Sequence, residues 1–388
     1  MRRRRFISGV VGAGAGLGLA SASARATTGG DAGSAGTGTG TGTGAGSVRA
    51  ATASAPHDWA AVPAPDCAPA AQLLGVAAGG PDLAWAVGEE GRNDGTRGTP
   101  LTLTWDGTAW SRLDLTHLGF GGYLNAVAGT ADRAWAIGTD TAGTARLLAW
   151  DGATWQEADF PGRGAFGTSL TGVTLGPDGD TWISGRTSDG LVLLHGHDTD
   201  WTWEPAPPSA PTAAPSGLRV LPSGDVWLYD SALVARWDGT AWTELPTPPG
   251  IRAAVTGILP VADDDIWLTG YAYGVGGPPG KPPSVALLHG DGDTWTYVTA
   301  PFTVGMLTGI VDDGQGGPDR IAGWNFWDQT RAHYLRWDSG SWVTERGPTA
   351  TTPVLPNALT TVPGTDGYWA VGTTSSSPYP PAQVRIES

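Results

Sequence analysis

Residues 147–155 read LLAWDGATW. Near-copies close at Trp110 (LTLTWDGTAW), Trp242 (LVARWDGTAW) and Trp342 (YLRWDSGSW). In each, a short apolar run meets Asp-Gly or Asp-Ser-Gly, and a tryptophan opens the next segment. Asp-Gly is a strong hairpin signal, because glycine tolerates positive φ. Each copy therefore reads as a strand, a tight turn and the start of a second strand. That second strand runs out at proline, as in TWQEADFP, AWTELPTPP and TWTYVTAP.

Two more strands precede each copy. The first has Leu-x-x-Val spacing: LLGV ending at Val76, LNAV at Val127, LTGV at Val173, VTGI at Ile258, LTGI at Ile310 and LTTV at Val362. GLRV, ending at Val220, keeps the strand without the first Leu. The second carries a tryptophan: AWAVG (Trp85), AWAIG (Trp135), TWISG (Trp182), VWLYD (Trp227), IWLTG (Trp267) and YWAVG (Trp369). The sixth copy reads RIAGW, with Ile321 taken as the tryptophan place. Asp82, Asp132, Asp180, Asp225 and Asp265 stand just before these strands, where Asp side chains favour tight turns. Much of the acidity is turn punctuation.

Seven four-stranded units recur 38 to 52 residues apart. A sheet this small cannot bury both faces alone. Stacking like sheets around an axis solves the problem, and this period with four strands signals a propeller. The expected fold is all-β: a seven-bladed β-propeller of four-stranded antiparallel blades. The last unit stops at AQVRIES without a fourth strand. DWAAVPAP, residues 58–65, has fourth-strand form and is expected to close the last blade from the N-terminal side, removing exposed edges.

The "WAVG … LLxWDGxxW … P" pattern resembles repeats of secreted actinobacterial seven-bladed β-propellers. The DGxxW turn also resembles the Asp-box of sialidase-type propellers, with Trp four positions after Asp instead of five. The resemblance covers residues 58–388 and implies architecture, with no shared reaction. It places 17 of the 20 tryptophans in repeated slots. Each ring buries about 150–250 Å², roughly 4–6 kcal/mol gross at ~25 cal/mol per Å². Such rings are expected to hold neighbouring blades together. So many aromatics also argue against disorder for most of the chain, despite 61 Gly and 31 Pro.

Residues 1–26 read as an export signal: Arg2–Arg5, a short Gly-diluted apolar stretch, and small residues before Ala26. Arg3-Arg4-Arg5-Phe6-Ile7 resembles a twin-arginine signal. The apolar stretch is too short to span a bilayer stably. Residues 27–56, nearly all Gly, Thr, Ser and Ala, read as a flexible linker, and residues 57–388 as the propeller. The expectation is a secreted monomer, with no membrane insertion after signal cleavage. Cleavage would remove five arginines and no acid, making the net charge of −15 more negative still. Such a surface repels nucleic acid and anionic membranes. The single Cys67 cannot form an internal disulfide and reads as an inert thiol.

First-to-second and third-to-fourth turns are short and alike. The other two kinds of connection share the opposite face and vary, as in YAYGVGGPPGKPP (271–283) and WNFWDQTRAH (324–333). A regular scaffold with irregular loops on one side suits a binding surface. Trp324, Phe326, Trp327, Tyr271, Tyr273, Phe120, Tyr123, Phe166 and Arg331 belong to that face and are the candidate ligand-binding residues. Flat rings there would stack on sugar or on peptide. The reading is non-catalytic recognition of carbohydrate or an extracellular protein. The alternative is a glycosidase-like hydrolase or lyase at the channel mouth of the same face. It would draw on the loop acids Glu89, Glu90, Asp94 and Asp328, or on Arg92, Arg97, Arg163, Arg252 and Arg331. No catalytic motif, regular calcium loop or cofactor signature stands out. His195 and His289 fill one repeated slot, which argues for structure over metal.

Overall fold

The computed structural model describes residues 53–388, apart from 94–95, 198–199, 210–214, 249–253, 273–281 and 375–381. Its turns are set by their residues. Asp151 Oδ1 accepts the amides of Ala153 (2.9 Å) and Thr154 (2.8 Å), and Asp106 and Asp238 repeat the arrangement. The next residues, Gly107, Gly152 and Gly239, have φ of 90°, 100° and 92°, a region costly for other residues. Hydrogen bonds from Thr240 hold the Asp238 carboxyl down at about 2.

The strands form seven antiparallel sheets, each in chain order, six of four strands and one of three. The innermost strands are Gln72–Gly80, Gly122–Gly129, Ser169–Leu175, Gly217–Val220, Ala254–Ala262, Gly305–Asp312 and Val354–Thr361. Among the described residues the only helix is the 3₁₀ turn Thr116–Leu118. The protein is a seven-bladed β-propeller.

The glycine of WAVG has a definite task. In blade one the inner strand bulges at Leu74, between the pairs Leu73–Gly88 and Gly75–Val87. A Cβ on Gly88 would lie 2.0 Å from Gln72 O, so only glycine admits the bulge. Gly138, Gly270 and Gly372 face the same contact, at 2.1, 2.0 and 2.0 Å. Blade four has Asp230 in that slot, and its inner strand pairs without a bulge.

Strand register corrects three alignments made on sequence alone. Leu359, not Val362, faces Ala370 as Val76 faces Ala86, so the Leu-x-x-Val slot of blade seven is residues 356–359. In blade four Arg219 faces Trp227, which moves the slot to residues 215–218. In blade six Val311 faces Arg320, so Arg320 and not Ile321 stands in the tryptophan place. Pattern matching favoured apolar letters. Register follows the bulge and the pairing.

Tryptophans of the second strand meet rings of the next blade. Trp85 lies 5.9 Å from Trp150, Trp135 5.2 Å from Trp201, Trp267 5.3 Å from Trp337 and Trp369 4.8 Å from Trp105. Trp182 shares a buried cluster with Trp237 and Trp242, and Trp227 with Trp295. His195 stacks on Trp182 at 4.1 Å and bonds Asp180 at 2.9 Å, and His289 lies tilted against Trp267 at 4.6 Å and bonds Asp265 at 2.9 Å. That histidine slot is structural.

The junction of blades six and seven is different. The segment near Trp59 runs beside the last strand, Val384–Glu387. Ala60 N donates to Ser388 O (2.8 Å), Ser388 N to Ala60 O (3.0 Å) and Val62 N to Ile386 O (3.0 Å). Trp59 stacks on Tyr334 at 3.5 Å. Arg320, 1% exposed, bonds Asp319 Oδ1 at 2.6 Å, Glu345 Oε2 at 3.1 Å and the carbonyl of Ala55. Tyr368 donates to Asp319 (2.7 Å) and Tyr334 to Glu387 (2.8 Å). Cys67 lies nearby in sequence, half-buried, and burial pushes its thiol up to about 11, which suppresses the reactive thiolate.

Two measurements test this junction. Trp59→Ala removes a buried, stacked ring and should cost about 3–5 kcal/mol in chemical denaturation. An unchanged midpoint would contradict the packing. Burial, and then the Arg320 charge, lower the pKa of His57 below its ordinary 6.5. A proton is then bound more readily by the unfolded chain, so stability is full above about pH 6.5 and falls as pH drops toward the folded value. Glu387, raised by burial, has the opposite sign. The melting temperature should therefore fall less between about pH 6.5 and 5 in His57→Gln than in the parent chain, because subtraction isolates the histidine.

Candidate functional site

Inner strands of all seven blades enclose an axial cavity of about 310 Å³. Bulged residues of neighbouring blades tie its wall. Asn125 Nδ2 donates to Thr171 O (3.4 Å), Thr256 Oγ1 to Leu307 O (2.8 Å) and Asn357 Nδ2 to Leu73 O (2.7 Å). Blade four adds Arg219, which donates to Ile258 O (3.2 Å) and Ile310 O (3.4 Å) and pairs with Asp312. Tyr229 lies over Gly217, where a Cβ would sit 2.6 Å from its hydroxyl. Burial pushes this phenol up to about 12 against the pull of Arg219. Among the described lining residues there is no carboxylate. The wall offers hydroxyls, amides and one committed guanidinium. Glycoside hydrolysis needs two facing acids, and this wall does not supply them.

The loop acids are committed as well. Glu89 and Glu90 lie on the strand Leu83–Glu90 and are buried. Glu89 accepts from Gly98 N (2.8 Å), with Arg97 at 3.4 Å. Glu90 accepts from Ala68 N (2.8 Å) and from Arg112 Nε (2.9 Å). They are strand residues and not loop acids, because the second strand extends further than its apolar letters suggest. Asp94 and Arg252 lie outside the described residues. Arg97, Arg163 and Arg331 each find an acid within their own blade, Glu89, Glu157 and Asp328, and form no common cluster.

The nine candidate binding residues divide. Tyr123, Tyr271 and Trp324 sit in strand ends instead of loops: Gly122–Gly129, Asp265–Ala272 and Pro318–Asn325. Phe120 lies under the Arg146 guanidinium (4.9 Å) and Tyr123 under Arg97 (4.2 Å). Those rings belong to the connection of blades one and two. Phe166, between blades two and three, is 95% exposed. Tyr273 lies outside the described residues. Trp324, Phe326, Trp327 and Arg331 come together in blade six.

This blade-six loop is firmly built. Asn325 Oδ1 accepts the Trp327 amide (3.0 Å), and Asp328 N donates to Asn325 O (3.2 Å). Phe326 N bonds Val304 O (3.0 Å), Gln329 Nε2 bonds Phe326 O (2.9 Å) and Val354 N bonds Gln329 O (2.7 Å). The rings of Trp324 and Phe326 meet edge-on at 5.9 Å, and those of Phe326 and Trp327 at 4.9 Å. Trp327 is 77% exposed. Holding a large apolar ring in water on a fixed backbone favours contact with a flat apolar surface, with little ordering cost on binding.

Sequence reasoning missed Arg346 and His333. Arg346 closes the strand Ser341–Arg346, and its Nε lies 3.6 Å from Asp328 Oδ2. His333 is buried, with Nε2 3.3 Å from the same oxygen. Burial lowers its pKa, which keeps the ring neutral. No spacing in the sequence connects Asp328 with Arg346; only the pairing of His333 with Arg346 brings them level.

No protein-family model matches this sequence, and no curated protein matches it. Solved structures do match in fold. Virginiamycin B lyase from Staphylococcus aureus, with quinupristin, superposes with a TM-score of 0.58 at 12% identity, over 85% of this chain and 99% of that one. YCF48 bound to D1 peptide gives 0.55 at 14%, over 87% and 98%. A GH74 xyloglucanase from Xanthomonas campestris gives 0.52 at 19%, over 85% of this chain and 55% of that one. All place this chain among the β-propellers. At these identities the likeness is one of fold.

The loop geometry has a direct test. Asn325→Ala removes the acceptor that sets the Trp327 amide. Cleavage within 325–332 by a non-specific protease should quicken several-fold while the global melting temperature hardly moves. Equal cleavage rates in both proteins would show that the loop is held without Asn325.

Proposed function

We propose that this protein is a non-catalytic binding module that takes carbohydrate or an extracellular protein on its variable face, at the blade-six loop. The observation that carries the reading is Trp327, an indole 77% exposed on a loop fixed by at least five hydrogen bonds. A large ring exposed on a rigid loop beside the half-buried Trp324 and Phe326 offers a partner an apolar patch. The axial wall supports the same reading, since Asn125, Thr256, Asn357 and Arg219 donate to backbone carbonyls and its described lining has no carboxylate pair. Fold neighbours include YCF48 with a bound peptide and a xyloglucanase, so the architecture accommodates both kinds of partner. Export through a twin-arginine-like signal, with a Gly/Thr-rich tether before the propeller, completes the proposal.

Glycan-array screening followed by calorimetry tests it. A ligand found with the parent chain should lose affinity by at least about tenfold in Trp327→Ala, equivalent to about 1.4 kcal/mol. Full affinity in that variant would remove the blade-six loop from the binding face.

A further inference from the structure

The chain carries 37 acids against 22 Lys and Arg, so a locally cationic spot needs explaining. One occurs at the blade-six loop. Asp328 faces two guanidiniums: Arg331 Nε at 3.4 Å from Oδ1 and Arg346 Nε at 3.6 Å from Oδ2. His333 Nε2 is the third group, at 3.3 Å from Oδ2 and 3.1 Å from the Asp328 carbonyl. Charge-assisted N–H···O bonds close to about 2.7–2.9 Å when satisfied. These separations are all longer, and Arg331 Nε makes no hydrogen bond. One carboxylate is shared by two arginines, and neither guanidinium is fully used. Arg346 is 62% exposed and Arg331, whose Nε is itself buried, 31% exposed, so Arg346 is the more accessible of the two. Trp327 is the chain neighbour of Asp328.

We infer that this corner binds a glycan bearing carboxylate groups, a uronate-containing oligosaccharide, with Trp327 stacking on a sugar face and Arg331 and Arg346 receiving a ring carboxylate. The inference rests on the binding reading above and specifies its ligand class. Guanidinium is matched to carboxylate geometry and is less strongly hydrated than ammonium, so it suits such a contact. Asp328 has two functions in this arrangement. It holds both arginines in place without the ligand, and its single charge leaves the corner net cationic. Elsewhere the acidic surface repels polyanions, which confines an anionic glycan to this spot. A neutral glycan would use the indole and leave the spare guanidinium donors to water.

The experiment is calorimetric titration with trigalacturonate and, in parallel, with an uncharged trisaccharide. The parent chain, Arg346→Met, Arg346→Lys and Trp327→Ala are compared, with unchanged melting temperature required of each variant. The expected result is binding of trigalacturonate alone, weakened at least about tenfold by Arg346→Met and by Trp327→Ala, partly restored in Arg346→Lys, and weakened by salt. Equal binding of the neutral sugar, sensitive to Trp327→Ala but not to Arg346→Met, would overturn the charge inference and leave the binding face standing. Failure of every glycan on a wider array, with a carboxylate-ended peptide binding through Arg346 instead, would overturn the glycan assignment. No ligand at all would overturn both readings.

Discussion

Indole packing across six of the seven blade boundaries is the interaction on which the ring depends. A blade of four short strands exposes two apolar faces, and its Gly-rich, Ala-rich strands add little area of their own. Fixing the backbone costs about 1–2 kcal/mol per residue. Burial of one tryptophan offsets this by roughly 4–6 kcal/mol gross. The second-strand ring faces forward and meets the rings flanking the Asp turn of the following blade, as Trp85 meets Trp150. The turn and the ring are thus one device: the aspartate fixes the hairpin and the hairpin delivers the indoles. Glycine after the second-strand ring belongs to it as well. It lets the inner strand bulge, which turns Asn125 or Thr256 toward the neighbouring blade's carbonyl.

The junction of blades six and seven meets the same geometric demand with different chemistry. Arg320 occupies the place of the ring, and Trp59 arrives from the other end of the propeller. A buried guanidinium without partners would be strongly destabilising, whereas a satisfied one is close to neutral. Its partners are Asp319, Glu345 and the carbonyl of Ala55, and Ala55 belongs to the segment that closes the ring. The charge is therefore fully satisfied only when that segment is in place. Six boundaries rest mainly on dispersion and burial, which tolerate imperfect fits. The seventh adds hydrogen bonds, which are directional, to the stacked Trp59 ring, and it gives the last contact one geometry.

Much of this architecture was legible in the sequence because turn chemistry and strand pairing are local. DG before a ring, proline after the fourth strand and the recurrence of both are short-range facts, and they sufficed for seven blades. Register was less legible. LTTV looks like a better inner strand than residues 356–359, and RIAGW places Ile321 where an apolar letter is wanted. The bulge and the partner strand decide both cases, and neither is written in the segment itself. The site was legible only in part, for the same reason. Trp324, Phe326, Trp327 and Arg331 are close in sequence and proved close in space. Phe120, Tyr123 and Phe166 share their chemistry but belong to other blades, where two of them are covered by arginines. Arg346 escaped notice because strand pairing alone brings it to Asp328, and Glu89 was misjudged because a buried carboxylate and an exposed one have the same letter.

Division of labour between the two faces follows from the same constraints. Short turns must preserve the delivery of indoles, so they admit little change. The opposite connections carry no such duty, and their length and composition are free. Blade six uses that freedom: its loop commits hydrogen bonds to holding Trp327 outward, and its fourth strand ends in Arg346, two residues before Pro348. It is also the blade whose second strand has lost its tryptophan. Arg320 sits on the same strand as Trp324, four residues away, and that strand, Pro318–Asn325, runs from the latch network to the aromatic loop. The rigid anchoring of one end of this strand by Asp319, Glu345 and the closing segment therefore also fixes the position of the other end, where the exposed ring begins.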